Sequence, residues 1–163
     1  MYFFNQLRGL QVLDLTDPAD PRITASLRLP AVGQDLYLFP GSGKSRSLVL
    51  LTEGWSMKDG SWTRINLVKV NGGEARIISS RDVPGNLADS RLVGSRLILA
   101  TTEWNDSPRA TTDDWSSRSR LSEWLLAPDA APQAAGLTLI EGDSPLIAAG
   151  ADWLALAVHP NGR

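Results

Sequence analysis

Apolar residues along this chain fall in short bursts punctuated by Gly, Pro, Asn and Asp. Ile23, Ala25, Leu27 and Leu29 alternate with Arg22, Thr24, Ser26 and Arg28, a period of two that predicts a strand with one buried face, stopped by Pro30. Leu36 to Phe39 and Leu48 to Leu51 are continuous apolar runs joined by Pro40 to Ser45. Ile65 to Val70 and Ala75 to Val83 flank Asn71-Gly72-Gly73-Glu74, and Leu92-Val93 and Leu97 to Leu99 flank Gly94-Ser95. Both connections predict tight hairpins, because Gly supplies the positive φ that such turns need. Leu121 to Leu126 and Ala134 to Ile140 flank a Pro-Asp-Ala-Ala-Pro turn, and Leu146 to Ala149 and Trp153 to Val158 flank Gly150-Ala151. At the N-terminus, Tyr2 to Gln6 and Leu10 to Leu15 precede the strong turn Asp17-Pro18-Ala19-Asp20-Pro21. Two polar stretches, Glu53 to Trp62 and residues 104–120, are predicted as loops.

Aligned under one another, the bursts repeat. Ile23 and Ile77, Pro30 and Pro84, and Asp35 and Asp89 each lie 54 residues apart, while Gly94 and Gly150, and Leu97 and Trp153, lie 56 apart. Each unit holds four short strands, and a repeat of roughly 40–50 residues with four strands is the mark of a β-propeller blade; the spacing here sits slightly above that range because the loops are long, and a β-sandwich, which could also hold many short strands, does not require a repeat. The expected fold is therefore all-β: a partial β-propeller of four-stranded antiparallel blades, an open arc of about three. Strands B to D of a first blade occupy residues 2–30, a second blade about 34–84, a third about 88–141, and the start of a fourth 145–159. Propellers close with about 4–8 blades, so this segment reads as part of a longer protein whose remaining blades are its partners.

Composition narrows the functional classes. Fourteen Gly, ten Pro and six Trp favour an all-β chain over a helical one. A net charge of −2 gives no footprint for nucleic acid or an anionic membrane. Cysteine is absent, which removes disulfides and thiolate chemistry, and no apolar run approaches the roughly 20 residues that span a bilayer. Met1-Tyr2-Phe3-Phe4 lacks the basic and long apolar regions of a signal peptide.

Two segments carry a family resemblance. G-L-Q-V-L-D-L-T-D-P-A-D-P-R-I, from Gly9 to Ile23, resembles the repeat of LVIVD-repeat proteins, in which a strand ending V-D-V-S-D-P leads into another strand. V-P-G-N-L-A-D-S-R-L-V-G-S-R-L-I-L-A-T-T, from Val83 to Thr102, is similar to the S-R-(L/M)-(I/V)-G pattern of secreted bacterial proteins with a C-terminal β-propeller domain. The third unit departs, with Pro145-Leu146 where Ser90-Arg91 would stand. The resemblance implies a propeller in the cell envelope or secreted beyond it, and it carries over no catalytic residues and no cofactor.

Candidate chemistry is sparse. Gly41-Ser42-Gly43-Lys44-Ser45 invites a phosphate-loop reading, but Leu38 occupies the position where the first Gly is required and a strand follows where a helix should. His159, the single histidine, lies in a terminal turn and excludes multi-histidine metal sites. The tryptophans say more. In a propeller the two predicted loops both join strand B to strand C and open on one face, bringing together Trp55, Trp62, Trp104 and Trp115 with Asp106, Asp113 and Asp114. T-E-G-W (Thr52 to Trp55) and T-E-W (Thr102 to Trp104) are expected at the same place in two blades. Aromatic, acidic surfaces of this kind suit recognition of a protein or glycan; the alternative places these rings as filling between blades. Asp35 and Asp89 begin the innermost strands, where paired carboxylates are weak candidates for a cation such as Ca²⁺, with an ordinary backbone-capping role as the alternative. The leading functional expectation is a non-catalytic binding or scaffold module. The alternative is a propeller enzyme hydrolysing glycans or esters with channel-face carboxylates, for which Asp89 with Glu103 or Asp113 is the pair to inspect.

Overall fold

The computed structural model describes residues 1–29, 31–39, 46–104 and 117–159, with backbone alone at 104, 141, 143 and 144. Among these residues the chain is all strand and turn. β1 (Tyr2–Asn5), β2 (Gly9–Asp14) and β3 (Arg22–Leu27) form a three-stranded first sheet. β4 (Val32–Phe39), β5 (Arg46–Ser56), β6 (Gly60–Asn71) and β7 (Glu74–Pro84) form the second. β8 (Asn86–Val93), β9 (Arg96–Trp104), β10 (Ser117–Leu125) and β11 (Gln133–Glu141) form the third. β12 (Asp143–Ala149) and β13 (Leu154–His159) form a two-stranded fourth. Every neighbour pair is antiparallel and every sheet is a simple meander in chain order.

The sheets pack face to face in the order in which the chain makes them. Leu10 joins Leu48, Leu50, Val68 and Val70 in a core between the first and second sheets. Val49, Leu51, Ile65 and Leu67 join Leu97 and Leu99 between the second and third. Ile98 and Ala100 meet Ile147 between the third and fourth. Adjacent residues of one strand therefore feed different cores, since side chains alternate across a sheet. This explains the continuous run Leu48-Val49-Leu50-Leu51: all four are fully buried, because β5 has a sheet on each side. Each such burial stabilises by about 1.5–3 kcal/mol.

The repeat is written in the hydrogen-bond register as well as the sequence. In the first strand of the second sheet one extra residue sits between Gly33 and Asp35, and in the third sheet one sits between Leu87 and Asp89. The outer strands behave alike: Thr24, Ile78 and Ala135 are the extra residues where β3, β7 and β11 pair with their neighbours. A bulge bends its strand and raises local twist, so the second and third units bend at the same two places. Gly72 and Gly94 turn their hairpins at φ 59° and 61°, as the Asn-Gly and Gly-Ser signals predict.

One expected loop is strand. Glu53 to Trp62 continues β5 and β6 almost to the turn, closing only over Met57-Lys58-Asp59. The stretch lacks an apolar face because it runs past the flanking strands and has no core to meet.

Candidate recognition surface

β5 and β6 stay paired from Arg46↔Val70 to Ser56↔Gly60, whereas β4 leaves β5 at Val32↔Glu53 and β7 leaves β6 at Trp62↔Pro84. Residues 54–61 thus project beyond the sheet as a two-stranded ribbon. Ser56 Oγ accepts a 2.9 Å hydrogen bond from the Asp59 amide, and Gly60 takes φ 70° to close the turn.

The ribbon has two unlike faces. Gly54 stands opposite Trp62, and the indole lies so close over Gly54 that a Cβ there would sit 2.0 Å from Trp62 Cζ2. Arg64 lies 4.6 Å from the Trp62 ring centroid, a cation–π contact. Its guanidinium also grips Asp82 with two hydrogen bonds of 2.5 and 2.8 Å. That donation holds the Asp82 carboxyl below its ordinary value, against a smaller opposing push from burial. Trp62 is therefore an internal support.

Trp55 pairs with Ser61 on the other face and is 62% exposed, beside Met57 at 94%. An exposed indole and a thioether at the tip, flanked by Lys58 and Asp59, make a small apolar spot with a charged rim, the composition of a contact surface. The two tryptophans expected to act together thus sit on opposite sides of the ribbon.

Trp104 occupies the position in the third sheet that Trp55 holds in the second. Leu51 faces Asp35 and Ala100 faces Asp89, so the two second strands align 49 residues apart. That register corrects the T-E-G-W and T-E-W alignment, which is one residue out. Glu53 aligns with Thr102, and a one-residue slip reverses the face. Glu53 accepts hydrogen bonds from the Leu87 amide and, at 2.6 Å, from Gln34 Nε2. It reaches toward the third sheet. Glu103 instead pairs with Arg120 at 2.7 Å. Asp106, Asp113, Asp114 and Trp115 lie outside the described residues, as do Gly41 to Ser45. The residues after Ser45 form β5, not the helix a phosphate loop opens.

Asp35 and Asp89 each tie one sheet to the next. Asp35 accepts from Ser90 Oγ on β8, and Asp89 accepts from the Ile147 amide on β12 at 2.7 Å while also holding Arg91 at 2.6 Å. The Tyr37 hydroxyl bonds the Ser90 carbonyl at 2.9 Å; burial raises its pKa, and nearby Asp35 adds to the rise. Asp89 shares its face with Ala100, toward the fourth sheet, whereas Glu103 belongs to the opposite face with Leu97 and Leu99. The two carboxylates do not meet across one cleft. Among the described residues no three His, Cys, Asp or Glu side chains gather as a metal site. Among the same residues no helix is long and apolar enough to cross a membrane. His159 closes β13 opposite Asp143. No family model, curated protein or solved structure matches this chain.

Proposed function

We propose that this chain is a non-catalytic binding module of the β-propeller type, its four-stranded units fanned about a common axis. It recognises a protein or glycan through the end that carries the second-to-third strand connections. The observation that carries this reading is Trp55, 62% exposed at the tip of a ribbon that projects beyond its sheet. A large rigid side chain held in water by a well-supported hairpin contributes nothing to the core and is ready to be buried by a partner. The repeated bulges and the LVIVD-like segments support the propeller arrangement, and the same resemblance supports a setting in the cell envelope or outside it.

The test is a glycan array and an envelope-protein pull-down run with the wild-type chain and with Trp55→Ala. Binding that weakens about tenfold or more in the variant, with an unchanged melting temperature, supports the assignment. A bound partner whose hydrogen-exchange footprint avoids residues 54–61, or equal binding by the variant, refutes it.

A further inference from the structure

The Trp55 ribbon belongs to the second sheet and stands beside the third, both of them four-stranded. Side chains alternate across a strand, so Leu51, Glu53 and Trp55 share one face of β5, with Ile65, Thr63 and Ser61 opposite them on β6. Leu51 and Ile65 pack with Leu97 and Leu99 of the third sheet, so Trp55 faces the same way. The connection from β7 to β8 crosses at this point. The Gly85 amide donates to the Ser61 carbonyl at 2.9 Å, and Thr63 Oγ1 donates to the Gly85 carbonyl at 2.8 Å. Gly85 takes φ 93° and lies so near β9 that a Cβ there would sit 2.9 Å from the Thr102 carbonyl and 3.2 Å from Glu103 Cγ. The Trp55–Ser61 rung is thereby seated on the side of Glu103, with Glu53 further down the same face.

These side chains ask for one kind of ligand. Glu53 accepts hydrogen bonds from the Leu87 amide and from Gln34 Nε2, and Glu103 accepts one from Arg120 Nη2 at 2.7 Å. Both carboxylates are thus held in place while staying partly exposed, and each oxygen has a further lone pair to offer. A carboxylate accepts and does not donate, so the ligand must bring hydroxyl or ammonium donors. The exposed indole supplies a flat face whose electron-rich ring attracts polarised C–H groups. Size decides between a sugar and a protein. A standard protein interface takes about 800 Å² from each partner, whereas one indole offers about 150–250 Å², the scale of a sugar ring.

We propose that the ligand of the ribbon is an oligosaccharide of neutral or amino sugars. One pyranose ring lays its C–H face on Trp55, and its hydroxyl or ammonium groups donate to Glu53 and Glu103. This rests on the reading of the ribbon as the recognition surface and selects glycan over protein within it. Chains of uronic acids are excluded, because their carboxylates would meet Glu53 and Glu103 as like charges.

The test titrates the whole chain with a cello-oligosaccharide, a glucosamine oligomer and a galacturonate oligomer, followed by amide chemical shifts and indole fluorescence. One or both of the first two should bind and shift the amides of residues 53–61 and of Glu103, and the galacturonate oligomer should not. Trp55→Ala should weaken that binding about tenfold or more, whereas Trp55→Tyr, which keeps an aromatic platform, should weaken it less. Glu103→Gln keeps an acceptor for Arg120 and removes the charge. Tighter binding of the glucosamine oligomer, with an advantage that Glu103→Gln removes, assigns the amino sugar; equal or tighter binding of the cello-oligosaccharide assigns the neutral one. No binding by either sugar, equal binding of the galacturonate oligomer, or shifts away from the ribbon overturns the proposal. An envelope protein whose footprint covers residues 54–61, on a chain that binds no sugar, overturns the glycan assignment alone. A ribbon that neither sugar nor protein touches overturns the recognition reading with it.

Discussion

Asp35 on β4 receives the hydroxyl of Ser90 on β8, and the residue in the same place one sheet later, Asp89, receives the Ile147 amide on β12. Both carboxylates follow a bulge in the first strand of their sheet. The bulge turns the side chain toward the next sheet, so a local irregularity in pairing becomes the joint between units.

Removing that joint should loosen the end of the stack. Asp89 has only 13% of its side chain exposed, and a buried amide left without its charged acceptor is destabilised by about 1.5–3 kcal/mol. Asp89→Ala should lower the denaturation midpoint accordingly. Hydrogen exchange at Ile147 should quicken far more than at Leu50, which lies in a core that Asp89 does not reach.

Gly54 is fixed by its neighbour. A Cβ at this position would meet the Trp62 ring at 2.0 Å, so Gly54→Ala must push the indole off its seat and away from Arg64. A destabilisation of about 1–3 kcal/mol is expected, measured by denaturant unfolding. Trp55→Ala, which removes an exposed ring, should change stability by less than about 0.5 kcal/mol.

Acid should weaken the support of the ribbon in a defined window. Asp82 is held below its ordinary value of 3.8 by hydrogen bonds from Arg64. A depressed folded value means stability that is present above the unfolded value and lost as pH falls through the folded one. Wild type should therefore lose stability more steeply below about pH 4 than Asp82→Asn, as followed by melting temperature. High salt should narrow the difference, because the Asp82 side chain is half exposed.

Alkali should act through Tyr37. Burial raises its pKa above the ordinary 10.0, so the unfolded chain releases this proton first. The contribution is complete below the unfolded value and disappears as pH rises through the folded one. Melting temperatures of wild type should decline above pH 10 with a slope that Tyr37→Phe reduces. Identical slopes would show that the ring is not desolvated.

Much of the fold is legible in the sequence because turn chemistry and apolar runs agree. Asn71-Gly72 and Gly94-Ser95 mark hairpins that form there, and Leu48 to Leu51 announces a strand buried on both faces. The projecting ribbon was hidden, since Glu53 to Trp62 has neither an apolar face nor alternation, and pairing between β5 and β6 alone extends it. The roles of Asp35 and Asp89 were hidden too. Their matching positions are plain in the repeat, but their partners Ser90 and Ile147 lie 55 and 58 residues further on. The recurrence of Thr-Glu before Trp misled because letters align without regard to pleat, and one residue of slip sends Glu53 and Glu103 to opposite faces.

The central claim is that the sheets stack in chain order, the second and third each fastened to the next from a bulged first strand. Nuclear Overhauser spectroscopy tests it directly. Cross-peaks should link the Tyr37 ring to Ser90, the Phe4 ring to Gly33, on which it lies so closely that a Cβ there would sit 2.5 Å from Phe4 Cζ, and the Asp89 side chain to the Ile147 amide. A Tyr37 ring that instead contacts Leu10 of the first sheet, with no cross-peak to Ser90, would contradict the stacking and the account built on it.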